Sequence, residues 1–368
     1  MTAGYREFLA SKAATWRELG REVATADIHP FLHPWQAELV QWAVRTGRAA
    51  LWEDTGLGKT VQQVEWARLS GERALIVAPL AVCEQTVEEA TRIDVPVRYV
   101  RDDDHDPAGI RITNYELVER FDPALLDAVV LDEASILKQS DGATRTRLIQ
   151  HFAGVPRRLS CTATPAPNDP EELTNQAEFL GVMPRVEMLA AYFVHDQSGW
   201  RVKGHAWAPM FAWMSTWAVA MRRPSDMGYP DEGYLLPGLR YEQHLLPVNE
   251  VPEGQLFATD LGGVSGRSRI RRETLDARVQ VAVELVAEEP EQPWLLWCGL
   301  NEEATKLTKA IPGAVNVHGS MSPEDKAAAL LDFAHGRTRV LVTKTKIAGM
   351  GLNFQHCARM AFVGMNDS

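Results

Sequence analysis

Between His33 and Gly181 short, unbroken apolar runs alternate with longer stretches of helical periodicity. The apolar runs fall at 49–53, 74–79, 97–100, 110–113, 128–133 and 158–163. Runs that are apolar on both faces predict strands buried between two helical layers, which is how a parallel sheet is built. In such sheets ligands gather at the carboxyl ends of the strands. A second series of the same style follows, with strands expected at 294–299, 314–317, 339–343 and 360–364 and helices at 301–310 and 322–335. The chain therefore reads as an α/β protein with two parallel sheets in tandem.

Two stretches break this rhythm. Residues 1–27 place Tyr5, Phe8, Leu9 and Trp16 at helical spacing among charges, which predicts an amphipathic helical extension. Residues 182–246 crowd Trp200, Trp207, Trp213 and Trp217 with several methionines, and Pro224, Pro230 and Pro237 follow. This predicts a helical connector ending in an irregular loop. The expected organisation is an extension at 1–27, a first lobe at 28–181, a connector at 182–246 and a second lobe at 247–368.

Composition narrows the classes. In a chain of 368 residues, 45% hydrophobic and 24% charged content fits a globular protein with a sizeable core and excludes a disordered one. The formal net charge of −11 does not advertise nucleic acid, yet a local basic groove would suffice for it. Cys83, Cys161, Cys298 and Cys357 are scattered without metal-ligand or disulfide spacing, so they read as reduced thiols. The charged opening lacks the apolar run of a signal peptide, and no apolar stretch approaches the roughly 20 residues of a membrane span. A cytoplasmic location is the expectation.

The strongest chemical signal is WEDTGLGKT at 52–60, where an apolar strand runs into glycines and then a helix. Glycines let backbone N–H groups curl around phosphate oxygens, and the helix start favours anions. Thr55, Gly56 and Gly58 would cradle the phosphates, Lys59 would reach the outer ones, and Thr60 would ligate Mg²⁺. The usual string has a glycine five residues before Gly58, and Glu53 stands there instead. The second signal is VVLDEAS at 129–135, a strand ending in two carboxylates. Asp132 suits the Mg²⁺ shell and Glu133 suits the attacking water. Together the two motifs predict phosphoryl transfer from ATP to water, with Lys59, Asp132 and Glu133 as the catalytic set.

The order of motifs resembles that of superfamily 2 DEAD/DEAH-like helicases and translocases, most of all the phage-type, Swi/Snf-type and restriction-type ones. That resemblance implies two tandem RecA-like P-loop lobes, the use of ATP and Mg²⁺, and movement on nucleic acid, in the first place DNA. By the same resemblance, Gln36 in LHPWQAELVQWA (32–43) would read the adenine edge. Pro79 in ALIVAPLAVCEQT (74–86), and Thr113, Asn114 and Tyr115 in ITNYE (112–116), would contact the nucleic-acid backbone. Thr162 and Thr164 in SCTATP (160–165) would couple the nucleotide site to the other lobe. In the second half, VTKTKIAGMGLNFQ (342–355) resembles the motif that touches both DNA and nucleotide. Thr343, Gly349, Gly351 and Asn353 match it. In the family a helix bearing a glutamine and paired arginines follows the strand seen here as MAFVGMNDS, and one arginine serves as a finger. The chain stops at Ser368 before such a helix. The resemblance thus implies a second lobe cut short, impaired turnover, and a completing segment or partner subunit that supplies the arginine.

Three further features carry two readings each. The run SGRSRIRRETLDAR (265–278), with Arg271 and Arg272 at its centre, suits either phosphate contact or a solvated helix start. The tryptophans at 200–217 suit either base stacking or, at their helical spacing, a core. The acidic run at 102–106 has no regular ligand spacing and reads as a hydrophilic loop rather than a metal site.

Overall fold

The computed structural model describes residues 18–103, 107–138, 142–197, 199–246, 270–349 and 351–364. The chain divides into two compact units, Met1–Leu236 and Pro237–Ser368.

The first unit opens with helix α1, Pro34–Thr46. Pro34 sits at its first turn, where a missing N–H costs nothing. Trp35, Leu39, Val40, Ala43 and Val44 bury one face, and Gly47 at φ 73 ends the helix in the left-handed region that a side chain resists. Strand β1 (Arg48–Glu53) and helix α2 (Lys59–Ser70) follow. Then come β2 (Arg73–Ala78), α3 (Leu80–Ala90), β3 (Val97–Tyr99), β4 (Gly109–Asn114) and β5 (Ala128–Asp132). Helix α4 (Ala143–His151), β6 (Arg157–Cys161), α5 (Leu173–Leu180) and α6 (Arg185–Tyr192) complete the predicted series.

These strands and Ala218–Met221 (β9) form one sheet in the order β3-β4-β2-β5-β6-β1-β9, with all neighbours parallel. Alternate residues feed two cores. Leu75, Val77, Val129 and Leu131 join one cluster, while Ala74, Ile76, Ala128 and Val130 join the other. This two-sided burial is why the strands read as unbroken apolar runs.

Residues 182–236 contribute to this unit. Phe193–Asp196 (β7) and Gly199–Val202 (β8) form an antiparallel hairpin. Trp207–Met214 is helix α7, and Ala218–Met221 is β9, which pairs with β1 at the sheet edge. Trp213 and Trp217 are buried, with Trp217 packed edge-on against Trp52, so the core reading holds for them. Trp207 is 41% exposed and stacks on Phe211. The helix expected over 1–27 falls largely on residues outside those described. Among the described ones, the backbone of Leu19, Gly20 and Arg21 donates to carbonyls of Val44–Thr46. Only Thr25–Asp27 turns, as a single 3-10 turn.

The second unit holds α8 (Leu275–Glu288), β10 (Trp294–Trp297), α9 (Asn301–Ala310), β11 (Ala314–Asn316) and α10 (Pro323–Ala334). Then come β12 (Val340–Thr343), the short α11 (Thr345–Ala348) and β13 (Arg359–Phe362). Ser322 caps α10 by accepting from the Asp325 amide at 3.0 Å. The sheet order is β11-β12-β10-β13, again all parallel. Arg278, part of the basic run, turns inward to a buried ion pair with Glu303, which also receives the Gly299 and Leu300 amides. Both units are built on parallel sheets joined through helices.

Candidate nucleotide site

The phosphate loop leaves the sheet where Glu53 ends β1. Gly56 at φ +83 and Gly58 at φ +77 supply the left-handed turns that the loop needs. A Cβ added to Gly56 would meet nothing within 4 Å, so that side of the loop is open. At Gly58 it would lie 2.6 Å from Gln36 Nε2, and the positive φ would strain any other residue there. Leu57 buries its side chain beneath the loop, and its carbonyl accepts from Gln36 Nε2 at 2.8 Å and Gln62 Nε2 at 3.2 Å. Gln62 also donates to Glu53 Oε1 at 2.9 Å. Lys59 Nζ donates to the carbonyls of Glu53 (2.8 Å) and Asp54 (2.9 Å), which leaves its third N–H for an anion. Thr60, next in α2, is half-buried.

Strand β6 lies between β1 and β5, and Cys161 is in register with both Leu51 and Asp132. The carboxyl ends of three neighbouring strands therefore present the phosphate loop, the Thr162–Thr164 turn and the acidic pair along one edge. Thr162 is buried, donates its amide to Leu51 O at 3.2 Å, and accepts the Thr164 amide on its hydroxyl at 3.1 Å. Asp132 Oδ1 accepts from Gln63 Nε2 at 2.7 Å and from the Glu133 amide at 3.0 Å. Glu133 adopts φ 53, a left-handed conformation that costs a non-glycine residue about 1 kcal/mol or more. Such local strain collects at functional sites.

Burial governs the electrostatics. It pushes the Glu53 carboxyl up to about 7 against the pull of Gln62 and Lys59. It raises Asp132, opposed first by Gln63 and then by Lys59. It raises Glu133 to about 7, helped by the Asp132 charge and resisted by Lys59. One ammonium thus serves three crowded carboxyls. A site so rich in acid fits a divalent cation, and a nearby amide-lined loop fits the phosphates that such a cation accompanies. Among the described residues no group of three or more His, Cys, Asp or Glu forms a cation cage. Mg²⁺ does not need one, since it keeps several waters and takes one or two protein carboxylates.

Several predicted residues take other places. The Gln36 amide is 4% exposed; its oxygen accepts from the His33 amide at 2.9 Å and its nitrogen braces Leu57. In this position it ties α1 to the phosphate loop. Thr113 and Tyr115 are buried at the end of β4. The Tyr115 hydroxyl donates to the Asp132 carbonyl and so ties the end of β4 to that of β5. Asn114 Nδ2 donates to Tyr99 Oη at 3.3 Å, and Pro79 immediately precedes α3 as its N-cap.

In the second unit Thr343 is buried and donates to Val317 O at 2.9 Å. Gly349 closes α11, where an added Cβ would lie 2.3 Å from Thr345 O. Gly351 takes φ +70, and Asn353 Oδ1 accepts the Gln355 amide. Arg272 is exposed and Arg271 half-buried, whereas Arg267 and Arg269 lie outside the described residues. Sequence reasoning missed Gln62 and Gln63. Their signal was available in the helix after the loop, where polar side chains stand at positions that α2 buries on all sides.

Residues 277–368 match the family model described as the helicase conserved C-terminal domain. Over 169 residues the chain is 30% identical to the DNA annealing helicase and endonuclease ZRANB3 of Mus musculus, covering 40% of this chain. The match spans 16% of that protein's length. Among solved structures, the Sulfolobus solfataricus SWI2/SNF2 ATPase core in complex with dsDNA aligns with 93% of this chain and 84% of its own. Its TM-score is 0.49 at 16% identity. Among the described residues no helix is long and apolar enough to cross a membrane. Residues 277–368 are thus similar to a helicase C-terminal domain, and the phosphate loop and acidic pair lie in the first unit.

Proposed function

We propose that this protein is the motor of a DNA-dependent ATPase that moves on its nucleic acid. The observation that carries the reading is the convergence of Lys59, Asp132 and Glu133 at one carboxyl edge of a parallel sheet. Mg-ATP would bind with its phosphates on the amides of Gly56–Thr60 and on Lys59, and Thr60 and Asp132 would hold the metal. The bound cation would supply neutralisation of phosphate charge. Gln63 fixes Asp132 by one oxygen and leaves the other for the metal. Glu133 would orient the attacking water and take its proton. DNA is proposed because the helicase domain and the DNA-acting relative both point that way.

Lys59→Ala should raise the dissociation constant for ATP about 10- to 100-fold, as expected for loss of charge-assisted hydrogen bonds worth about 1.5–3 kcal/mol. Equilibrium titration with a fluorescent ATP measures this, and phosphate release with and without duplex DNA measures turnover. ATP binding without DNA-stimulated release would reduce the protein to a nucleotide-dependent clamp. Binding unchanged by the substitution would remove the phosphate-loop assignment.

A further inference from the structure

The proposed chemistry uses the phosphate end of the nucleotide and leaves open what meets the base. Gln36 has little surface to offer, since it is buried and its amide holds both His33 and Leu57. Trp35 is 3% exposed and has no open face. An aromatic corner stands beside them. The Tyr234 ring meets His33 edge-on, with centroids 5.9 Å apart at 77°, and meets Trp35 at 5.7 Å and 79°. His33 is exposed and Tyr234 half-buried, so both rings keep open surface.

The chain delivers Tyr234 to this spot from the phosphate loop itself. Met221, the last residue of β9, accepts the Asp54 amide at 3.0 Å, at the first step of that loop. The segment 222–234 then returns across the start of α1. It is pinned within itself, because Asp231 accepts the Ser225 amide at 2.8 Å and pairs with Arg223, while its carbonyl accepts the Tyr234 amide. Tyr229 Oη stakes it to Glu38 Oε1 on α1 at 2.7 Å. The phosphate loop, the start of α1 and this return segment therefore adjoin one another within the first unit. Two rings near right angles offer a planar heterocycle one face and one edge, the geometries that aromatic pairs favour.

We propose that His33 and Tyr234 form the wall on which the base of the nucleotide stacks, with Tyr234 as the principal base-binding residue. The inference rests on the nucleotide reading of the phosphate loop and deepens it. It assigns to the return segment after β9 the part of recognition that distinguishes a nucleoside triphosphate from a bare polyphosphate.

The test compares ATP with inorganic tripolyphosphate, both with Mg²⁺, as competitors of a fluorescent ATP on the full chain. Tyr234→Ala should weaken ATP about tenfold, within the range of a single base stacked on an aromatic side chain. It should leave tripolyphosphate within twofold. Tyr234→Phe should bind ATP like the unmodified protein, and Tyr234→Leu should resemble the alanine variant, because bulk without a π face does not replace stacking. Retained tripolyphosphate binding also shows that each variant is folded. Equal loss of both ligands, or ATP binding indifferent to Tyr234→Ala, would overturn the assignment. An unmodified protein that binds neither ligand would overturn the nucleotide reading as well.

Discussion

Glu133→Gln should lower ATP turnover by about 10²- to 10⁴-fold, the range expected when a general base is removed, and should leave ATP affinity within a few-fold. Glutamine matches the shape of the side chain and keeps the backbone amide that Asp132 Oδ1 accepts, so the left-handed turn at 133 survives. What it removes is the proton acceptor. Burial, then the neighbouring Asp132 charge, raise this carboxyl to about 7, while Lys59 holds it down. A base poised there is matched to neutral solution. Single-turnover phosphate release, set beside equilibrium ATP titration, separates the two effects. A parallel fall in affinity and turnover would make Glu133 a structural residue.

Glu53→Gln should stabilise the first unit at pH 8 by up to about 3 kcal/mol and have little effect at pH 5. Glu53 stands where the common phosphate-loop string has glycine, fully buried, with Oε1 accepting from Gln62 and Oε2 without a hydrogen-bond partner among the described residues. Its carboxyl titrates near 4.5 in an unfolded chain and about 7 in the folded one, chiefly through burial. Between those values the unfolded state sheds a proton that the folded state keeps. Stability is therefore lost as pH rises through this window and levels off above about 7. Glutamine removes the charge that burial penalises and still accepts from Gln62. Unfolding of both proteins at pH 5 and pH 8 reads the difference. A variant less stable than the parent at pH 8 would mean that the carboxylate instead supports the loop through Lys59.

The layered fold was legible because burial on both faces writes each strand as a continuous apolar run. All ten strands read from such runs appear within a residue or two of their expected bounds. β7, β8 and β9 were not legible. They lie among tryptophans and methionines whose spacing suits a helix, and the four residues of β9 become a strand through pairing with β1 about 170 residues earlier. The site shows the same division. GKT after a strand and DE at a strand end mark chemistry locally, and both fall on one sheet edge.

The work of individual side chains depends on distant neighbours. Gln36 is recognisable from its place before the loop, yet its hold on Leu57 depends on how α1 packs over that loop. Arg278 looks like part of a basic surface until Glu303, 25 residues on, draws it inward. Tyr234 is invisible as a site residue because its partners are His33 and Trp35, at the other end of the unit.

The most direct test of the account is a crystal structure of the protein with Mg²⁺ and a non-hydrolysable ATP analogue. The triphosphate is expected along the backbone amides of residues 56–60, with the Lys59 ammonium on its outer phosphates and the metal between Thr60 and Asp132. An analogue bound elsewhere, with Lys59 still engaged only by the carbonyls of Glu53 and Asp54, would contradict it.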